Sequence, residues 1–293
     1  MSKKLRNIIF VWHRVIGLAI GLLFIAIGLT GSLLVFKYEL DHLLMAYRFG
    51  RITPQPDLLS PEVISNLVHT AYANSHPPAK VILTDIFSPT LPHVVWLNEG
   101  LPNSIQVFVN PHTGQILGDR TYYGAFFYRL TEYHYTLLAG NLGLHSVGVA
   151  GVLMMVMAIT GLMLWPGWSK LIAGFKIKWN AHPKRLNFDI HKVIGFFSVA
   201  FLFSIAFTGL TLSYKELVNP LIYAIVSWLA KIPNWSNLKG EEVTGYLFSL
   251  HAGEFAGLPS RILYVFVGLA PLMLAVTGLN MFRLKRWGKA PLN

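Results

Sequence analysis

The stretch Trp12-His13-Arg14-Val15-Ile16-Gly17, with the apolar run that follows it to Phe36, decides the fold of this chain. A similar stretch, His-Lys-Val-Ile-Gly, begins at His191. In each copy a Thr-Gly pair begins seventeen residues after the histidine, at Thr30 and at Thr208. A repeated apolar helix with a histidine at its mouth predicts two similar halves built around a group that the histidines hold.

The composition is typical of a protein with several membrane spans. Of the 293 residues, 54% are hydrophobic and 13% are charged, which is too apolar for a soluble domain of this length. The first apolar run is too long for a signal-peptide core and has no small-residue cleavage site, so we expect it to remain as an anchor. The four runs that are long enough to cross a bilayer cover about residues 8–36, 143–165, 190–214 and 261–282.

The net charge of +11 is concentrated beside the ends of these runs. Residues 1–14, 166–192 and 283–293 together hold fourteen of the Lys and Arg residues and a single acid, Asp189. The remaining segments hold ten basic and twelve acidic residues. By the positive-inside rule, four spans then place both termini in the cytoplasm, and the basic charge indicates topology rather than nucleic-acid binding.

The chain contains no cysteine but has eleven histidines. Disulfides, iron–sulfur clusters, thiolate catalysis and covalent haem attachment are therefore excluded within this chain. The histidines remain as the strong candidates for binding a transition metal. A single histidine at a helix mouth usually makes only an interfacial hydrogen bond, but several at repeat-related positions favour metal ligands.

A second repeat places another histidine before each returning span. Thr160-Gly161 comes 26 residues after His134, and Thr277-Gly278 comes 26 residues after His251. His145, near the outer end of the second span, has no counterpart in the other half. Two halves with the same orientation imply a pseudo-two-fold axis along the membrane normal.

This axis predicts which histidines come together. We expect His13 to face His191 near the cytoplasmic side and His134 to face His251 near the periplasmic side. Two histidines from different helices are the axial ligands that a haem iron requires, and the apolar bundle would bury the porphyrin. If the glycines after His134 fold the helix sharply, a His134–His145 or His145–His251 pair is the alternative. The cofactor would be non-covalent haem b, with one or two haems per chain.

The segment 37–126 is predicted to form a small α+β unit outside the membrane. Ser60 is a suitable cap for a helix that runs to Ala73, with proline at its first position. Three runs of strand-forming residues follow, at Val81–Ile86, His93–Leu97 and Ile105–Val109.

The residues Val107–Leu117 resemble the signature of the PepSY domain, in which a strand, a Pro-x-Thr-Gly turn and a second strand follow one another. The spans, each closing with Thr-Gly, resemble the PepSY-associated transmembrane family over nearly the whole chain. That family includes iron-regulated inner-membrane proteins and ferric-siderophore reductases. The resemblance therefore implies reduction of a ferric siderophore in the periplasm, with release of Fe(II).

We thus predict an inner-membrane, all-α four-helix bundle with a pseudo-two-fold repeat, joined to a small periplasmic α+β PepSY-like unit. The bundle would also have an outer interfacial helix at 127–142. The expected parts are a first span at 1–36, the PepSY-like domain at 37–126, the outer helix and second span at 127–165, a cytoplasmic loop at 166–189, a third span at 190–214, a periplasmic loop with an outer helix at 215–260, and a fourth span with a cytoplasmic tail at 261–293.

The electron donor is left open between a quinol and a cytoplasmic reductase, because the chain has no Gly-rich nucleotide fingerprint. Two other functions also remain open. One is a non-enzymatic binding or assembly module in which the spans only anchor the PepSY-like unit. The other is a permease for a siderophore or for iron.

Several further polar residues are assigned from their positions. Arg14 and Lys192, which directly follow the inner histidines, are candidates for pairing with haem propionates or with lipid phosphates. His112 lies in the PepSY turn and is a candidate for contacting substrate. His112 and the remaining histidines are expected to be solvated, the others being His42, His69, His76, His93 and His182.

Overall fold

In a computed structural model, the chain is described at residues 1–74, 81–83, 89–97, 104–229, 231 and 239–287. It divides into two units, one formed by Met1–Val35 with Tyr133–Asn293 and the other by Phe36–Glu132. In chain order, the helices are α1 (Lys3–Leu34), α2 (Lys37–Phe49), α3 (Pro61–Ala71), α4 (Phe126–Thr136), α5 (Gly140–Leu164), α6 (Leu171–Phe175), α7 (Pro183–Ser213), α8 (Lys215–Leu229), α9 (Gly240–Ala252) and α10 (Leu258–Trp287), and the strands are β1 (Val81–Leu83), β2 (His93–Leu97), β3 (Ile105–Val109) and β4 (Ile116–Thr121).

Four of the helices, α1, α5, α7 and α10, are long and apolar enough to cross a membrane. The four predicted spans are therefore confirmed as candidate spans. Large apolar side chains on their outer faces stay exposed, as Leu22 does with 80% of its surface. Such exposure suits contact with lipid, since lipid tails are as apolar as these side chains.

The four long helices pack as a closed ring, in which α1 contacts α10 and α5, and α7 contacts α5 and α10. The backbones of α1 and α10 approach closely at Gly28 and Gly268, because a Cβ atom at either glycine would collide with the carbonyl oxygen of the other. The Ser32 hydroxyl lies 3.0 Å from the carbonyl oxygen of Val265 across the same contact. Small residues and interhelical hydrogen bonds are what hold helices together in lipid.

The break between the outer helix and the second span comes earlier than the sequence predicted. The predicted interfacial helix at 127–142 ends at Thr136, and α5 already begins at Gly140. Leu137, Leu138 and Gly140 have φ angles of 53°, 58° and 55°, which a helix cannot continue through. Two glycines fit this break: Gly140 adopts a positive φ angle, and a Cβ atom at Gly143 would collide with the backbone carbonyl of Thr136.

The third span is longer than its apolar run. Helix α7 begins at Pro183, where proline at the first helical position leaves no backbone N–H without a partner. The ring of His182 accepts a hydrogen bond from the backbone N–H of Lys184 at 3.3 Å. Four charged or polar residues, Lys184, Arg185, Asn187 and Asp189, lie in the first two turns of this helix, so hydropathy alone could not place its start.

The second unit is an antiparallel sheet in the strand order β1-β2-β3-β4. One face, with Val95, Leu97, Val107 and Val109, packs against Ile64 and Val68 of α3. The other face packs Val94 and Phe108 against Met45 of α2. This alternation along β2 and β3 is what a sheet covered by one helix on each face requires.

The turn between β3 and β4 has the predicted form. Asn110 Oδ1 accepts hydrogen bonds from the backbone N–H groups of His112 and Thr113 at 3.0 and 3.2 Å. Gly114 has a φ angle of 73°, in the left-handed region that glycine adopts without a steric penalty. Of the first predicted strand, Val81–Ile86, only the part to Leu83 lies within the described residues.

An ion pair inside the second unit joins α2 to the sheet. The guanidinium of Arg120 donates to both carboxylate oxygens of Asp41, at 3.0 and 2.6 Å, and its Nε donates to Gln106 at 2.6 Å. Only 11% of the Arg120 side chain and 14% of the Asp41 side chain is exposed. A bidentate ion pair that is shielded from solvent contributes more to the stability of the fold than a solvent-exposed pair does.

We expect Asp41→Ala to destabilise the second unit by about 1.5–3 kcal/mol, because it leaves the guanidinium of Arg120 with unsatisfied donors. Amide hydrogen exchange of β3 and β4 in the detergent-solubilised full chain measures this loss. Asp57→Ala is the control, since that aspartate is exposed. Equal exchange rates in the two variants would show that the ion pair does not stabilise the sheet.

Candidate functional site

The histidines of the first repeat, His13 and His191, lie next to each other inside the four-helix unit. Their ring centroids are 6.4 Å apart, and the ring planes cross at 83°. Nδ1 of His13 lies 2.8 Å from Oγ1 of Thr160, and Nδ1 of His191 lies 2.9 Å from Oγ1 of Thr277. Each ring is therefore held by a threonine from a different spanning helix.

The histidines of the second repeat, His134 and His251, form an equivalent pair. Their ring centroids are 6.3 Å apart, with the planes at 61°. Nδ1 of His134 lies 2.9 Å from Oγ1 of Thr30, and Nδ1 of His251 lies 3.1 Å from Oγ1 of Thr208. The structure thus brings together the same two pairs that the sequence repeat predicts.

Each of these threonines is followed by a glycine that makes room for the histidine ring. We call the four combinations histidine seats: Thr30-Gly31 with His134, Thr160-Gly161 with His13, Thr208-Gly209 with His251, and Thr277-Gly278 with His191. If a Cβ atom were added to the glycine, its distance from Cε1 of the histidine ring in the same seat would be 2.9 Å at Gly209, 3.1 Å at Gly31, 3.2 Å at Gly161 and 3.8 Å at Gly278. A larger residue than glycine would therefore press on the ring in three seats out of four.

The two pairs lie at different levels of the bundle. His13 and Thr30 are both on α1, seventeen residues apart, which corresponds to about 25 Å along a helix. A metal ion cannot take ligands from both pairs over that distance. The bundle therefore has two separate candidate sites.

The chemistry of each pair suits a metal that needs only two protein ligands. The threonine occupies the Nδ1 side of each ring, and Nε2 is the nitrogen that remains to bind a metal. Two metal–nitrogen bonds of about 2 Å place the ring centroids roughly 6 Å apart, which is the spacing found in both pairs. No group of three or more His, Cys, Asp or Glu side chains that could hold a metal occurs among the described residues. A haem iron, whose other four ligands are porphyrin nitrogens, fits this donor set.

A cavity of about 790 Å³ lies beside the pair formed by His13 and His191. Its walls are mainly apolar, with Phe24 and Met157 among the lining residues. Basic side chains from the N-terminal parts of α1 and α7 also line it: Arg6, Arg14, Lys184, Arg185 and Lys192. An apolar cavity with cations at one end suits a flat apolar molecule that carries carboxylates.

Lys192 is bound within the protein, in contrast to its predicted role as a partner of propionates or lipid. Its Nζ lies 2.6 Å from Oδ1 of Asp189 and 2.9 Å from the carbonyl oxygen of Lys176. Asp189 is fully buried and also accepts from the backbone N–H of Lys178. Lys192 therefore holds the preceding loop against α7. Of Arg14 and Lys192, only Arg14 remains a candidate for binding an anion.

His145 contacts a different partner from the other four histidines. Its ring stacks on Tyr214 at 5.8 Å between centroids and 19° between planes. Its Nδ1 lies 3.1 Å from the tyrosine hydroxyl. The alternative pairings of His145 with His134 or His251 are not formed, because those two histidines pair with each other.

Two histidines that were expected to be solvated are buried in the second unit. His93 is 4% exposed and His112 is 9% exposed. The ring nitrogens of His112 lie 2.9 Å from the carbonyl oxygen of Asp57 and 3.0 Å from that of Pro89. Burial, together with the nearby His112, lowers the pKa of His93. The ring of His112 therefore holds the turn against the segments that contain Asp57 and Pro89. His76 lies outside the described residues.

The partners that sequence reasoning missed are the threonine hydroxyls. The Thr-Gly pairs were visible as marks of the repeat, but each threonine binds a histidine that lies on another helix. Spacing along one helix cannot reveal such a contact. The usable signal was that every one of the four spans carries a Thr-Gly pair near its end.

Comparison with known protein families gives one match. The family model described as the PepSY-associated TM region matches residues 10–237 and 229–285. These ranges contain all four histidine seats, the whole of the second unit and most of the first. No curated protein matches the chain.

We expect Gly209→Ala to destabilise the protein by about 1–3 kcal/mol, because the new methyl group would press on the ring of His251. Gly278→Ala is the matched control, since its methyl group would lie 3.8 Å from the ring of His191, an ordinary contact distance. Alanine there should be neutral or should stabilise the helix by up to about 1 kcal/mol. Thermal unfolding in detergent measures both variants, and equal losses would contradict the role assigned to the glycines.

Proposed function

This chain belongs to the PepSY-associated transmembrane family, and we propose that it is a haem b protein of the bacterial inner membrane that reduces ferric siderophores. The observation that carries the proposal is the geometry of the two histidine pairs. In each pair every ring has its own threonine on the Nδ1 side, and the ring spacing matches two histidine nitrogens bound to one metal. A purely anchoring bundle has no need for two such pairs.

The chain's own residues have three tasks in this proposal. His13 and His191 hold one haem, and His134 and His251 hold the other. The apolar walls of the cavity keep water away from the first pair, and Arg14 is placed to meet an anionic group at its end. When bound, haem supplies one-electron transfer, because its iron can be ferrous or ferric.

The charges of the bundle support an orientation in the membrane. The cavity lined by basic side chains lies at the end where α1 and α7 begin, and the positive-inside rule favours the cytoplasm for such an end. Both termini would then be cytoplasmic, and the PepSY-like unit, Phe36–Glu132, would be periplasmic. His13 and His191 would lie on the side of the electron donor, and His134 and His251 on the side of the ferric substrate.

We also propose that the two halves are related by a pseudo-two-fold axis along the membrane normal. Repeat-related contacts support this relation. The close approach of Gly28 to Gly268 has a looser counterpart, in which a Cβ atom at Gly151 would lie 3.5 Å from the carbonyl oxygen of Ala206. A second matched contact occurs at the cytoplasmic end, where the basic residue after each inner histidine lies over the ring of Phe10 or Phe188, at 5.7 and 5.6 Å.

The reaction requires no general acid or nucleophile from the protein. Each Fe(III) in a siderophore takes up one electron and becomes Fe(II), which the chelate then releases. A quinol can supply two electrons with loss of two protons, so that one quinol serves two ferric ions. A cytoplasmic reductase is the other class of donor. The protein positions the redox groups and sets their reduction potentials.

We expect the purified protein to carry haem, and we expect substitution of either histidine pair to remove about half of it. His13→Ala and His191→Ala should each remove one half of the haem absorbance in a reduced-minus-oxidised spectrum. His134→Ala and His251→Ala should each remove the other half, since the pairs are about 25 Å apart. His145→Ala should leave the spectrum unchanged, because that histidine contacts Tyr214, and it serves as the control.

The same preparation tests the reaction. Chemically reduced protein, mixed with ferric hydroxamate or ferric catecholate chelates, should yield Fe(II) that a ferrous-specific dye traps. Wild-type protein without a Soret band would overturn the haem proposal and favour a membrane anchor. Uptake of the chelate into liposomes without any reductant would favour a permease.

A further inference from the structure

We propose that the threonine of each histidine seat is a positioning residue, which fixes the imidazole nitrogen that meets the iron and holds the two ring planes of each pair crosswise. The proposal rests on the haem function proposed above. It assigns a specific task to four residues: Thr30, Thr160, Thr208 and Thr277.

The first step concerns the direction of the threonine hydroxyls. Oγ1 of Thr160 lies 2.7 Å from the carbonyl oxygen of Val156, and Oγ1 of Thr277 lies 2.7 Å from that of Met273. A hydroxyl has a single proton, and here it is donated to the carbonyl oxygen four residues earlier in the same helix. The oxygen can then only accept from the histidine, so the proton of the imidazole lies on Nδ1.

The second pair of threonines shows the same arrangement. Oγ1 of Thr30 lies 2.9 Å from the carbonyl oxygen of Ala26, and Oγ1 of Thr208 lies 2.7 Å from that of Ser204. All four seats therefore select the tautomer with Nδ1–H and leave a lone pair on Nε2. At His251 the carbonyl oxygen of Ile205, 3.1 Å from Nδ1, is a second acceptor for the same N–H. A metal-binding histidine with its other N–H donated to a fixed acceptor is held in both tautomer and orientation.

The second step concerns ring rotation. The hydrogen bond restrains Nδ1, and in three of the four seats the glycine also closely approaches Cε1, the next atom of the ring, whereas at Gly278 the contact is an ordinary one. Two neighbouring ring atoms are thus restrained from one side, so the ring cannot rotate freely about its Cβ–Cγ bond. The planes are held at 83° in the pair of His13 and His191 and at 61° in the pair of His134 and His251.

The crossing angle has an electronic consequence for a ferric iron between the rings. An imidazole donates π-electron density to whichever iron d orbital lies perpendicular to its plane. When the two ring planes are parallel, both rings raise the energy of the same dπ orbital, and the energies of the two dπ orbitals separate. When the planes are crossed, each ring raises the energy of a different dπ orbital, and the two energies become similar. A crossed pair therefore gives a strongly anisotropic low-spin signal in electron paramagnetic resonance. Axial ligands and their hydrogen bonds are the protein's means of tuning such an iron.

The test uses electron paramagnetic resonance of the oxidised, haem-loaded full chain. His134→Ala leaves only the haem of the 83° pair, and in that background Thr160→Val removes the hydroxyl while keeping the shape of the side chain. We expect the anisotropic signal to change toward a rhombic one and the haem affinity to fall by about 10- to 100-fold. Thr160→Ser, which restores the hydroxyl, should recover both properties.

Two further variants keep the test decisive. Thr211→Val is the control, because the Thr211 hydroxyl donates to the carbonyl oxygen of Thr208 in its own helix, and it should leave the signal unchanged. Thr277→Val repeats the change on the other ring of the same pair. Should neither seat variant load haem, ¹⁵N spectra of the haem-free chains still reveal whether the histidine proton has left Nδ1.

The outcomes separate this inference from the proposed function. A wild-type chain that carries no haem overturns the proposed function. Haem in the wild type, with the same signal and affinity in Thr160→Val and Thr277→Val, overturns only the positioning role. A rhombic signal from the wild type would show that the planes are not held crosswise.

Discussion

The structure depends on a constraint that acts on each buried imidazole. A ring nitrogen inside an apolar helical bundle loses its water, and an unpaired polar group in such surroundings costs several kcal/mol. In each seat the partner of Nδ1 is a threonine hydroxyl, and at His251 the carbonyl oxygen of Ile205 also lies 3.1 Å from the same nitrogen. Threonine meets the requirement with little penalty, because its own proton is satisfied by the preceding turn of its helix. Thr160 and Thr277 illustrate this arrangement for the inner pair.

The same constraint explains why small residues recur in the spans. In lipid, helices gain no hydrophobic energy from one another, and close packing has to replace it. Gly28 and Gly268 let two backbones approach, and Ser32 adds a hydrogen bond across the contact. Without that approach, α1 and α10 could not present their histidine partners to rings that belong to other helices. The glycines of the seats and the glycines of the helix contacts therefore act together to bring each threonine within hydrogen-bonding distance of its histidine.

Sequence reasoning gave the number of spans, the family and the histidine pairs, because each depends on a repeated pattern along the chain. It did not give the threonine partners, since a hydrogen bond from His13 to Thr160 joins residues 147 positions apart. It expected His93 to be solvated, because a polar residue at a strand start normally faces water. It also left Lys192 free for an anion, since the structure alone shows that Asp189 is buried beside it.

The two halves of the repeat differ at a few positions, and these differences make the bundle asymmetric. Position 189 holds an aspartate that fixes a loop through Lys192, whereas the repeat-related position on α1 is Val11, so Arg14 has no such partner in its own helix. Arg14 is then able to face the cavity while Lys192 is held by protein. The repeated residues supply two equal pairs of candidate ligands, and equal pairs alone would not favour either end. The cation at one end of the bundle is what makes the two ends chemically different.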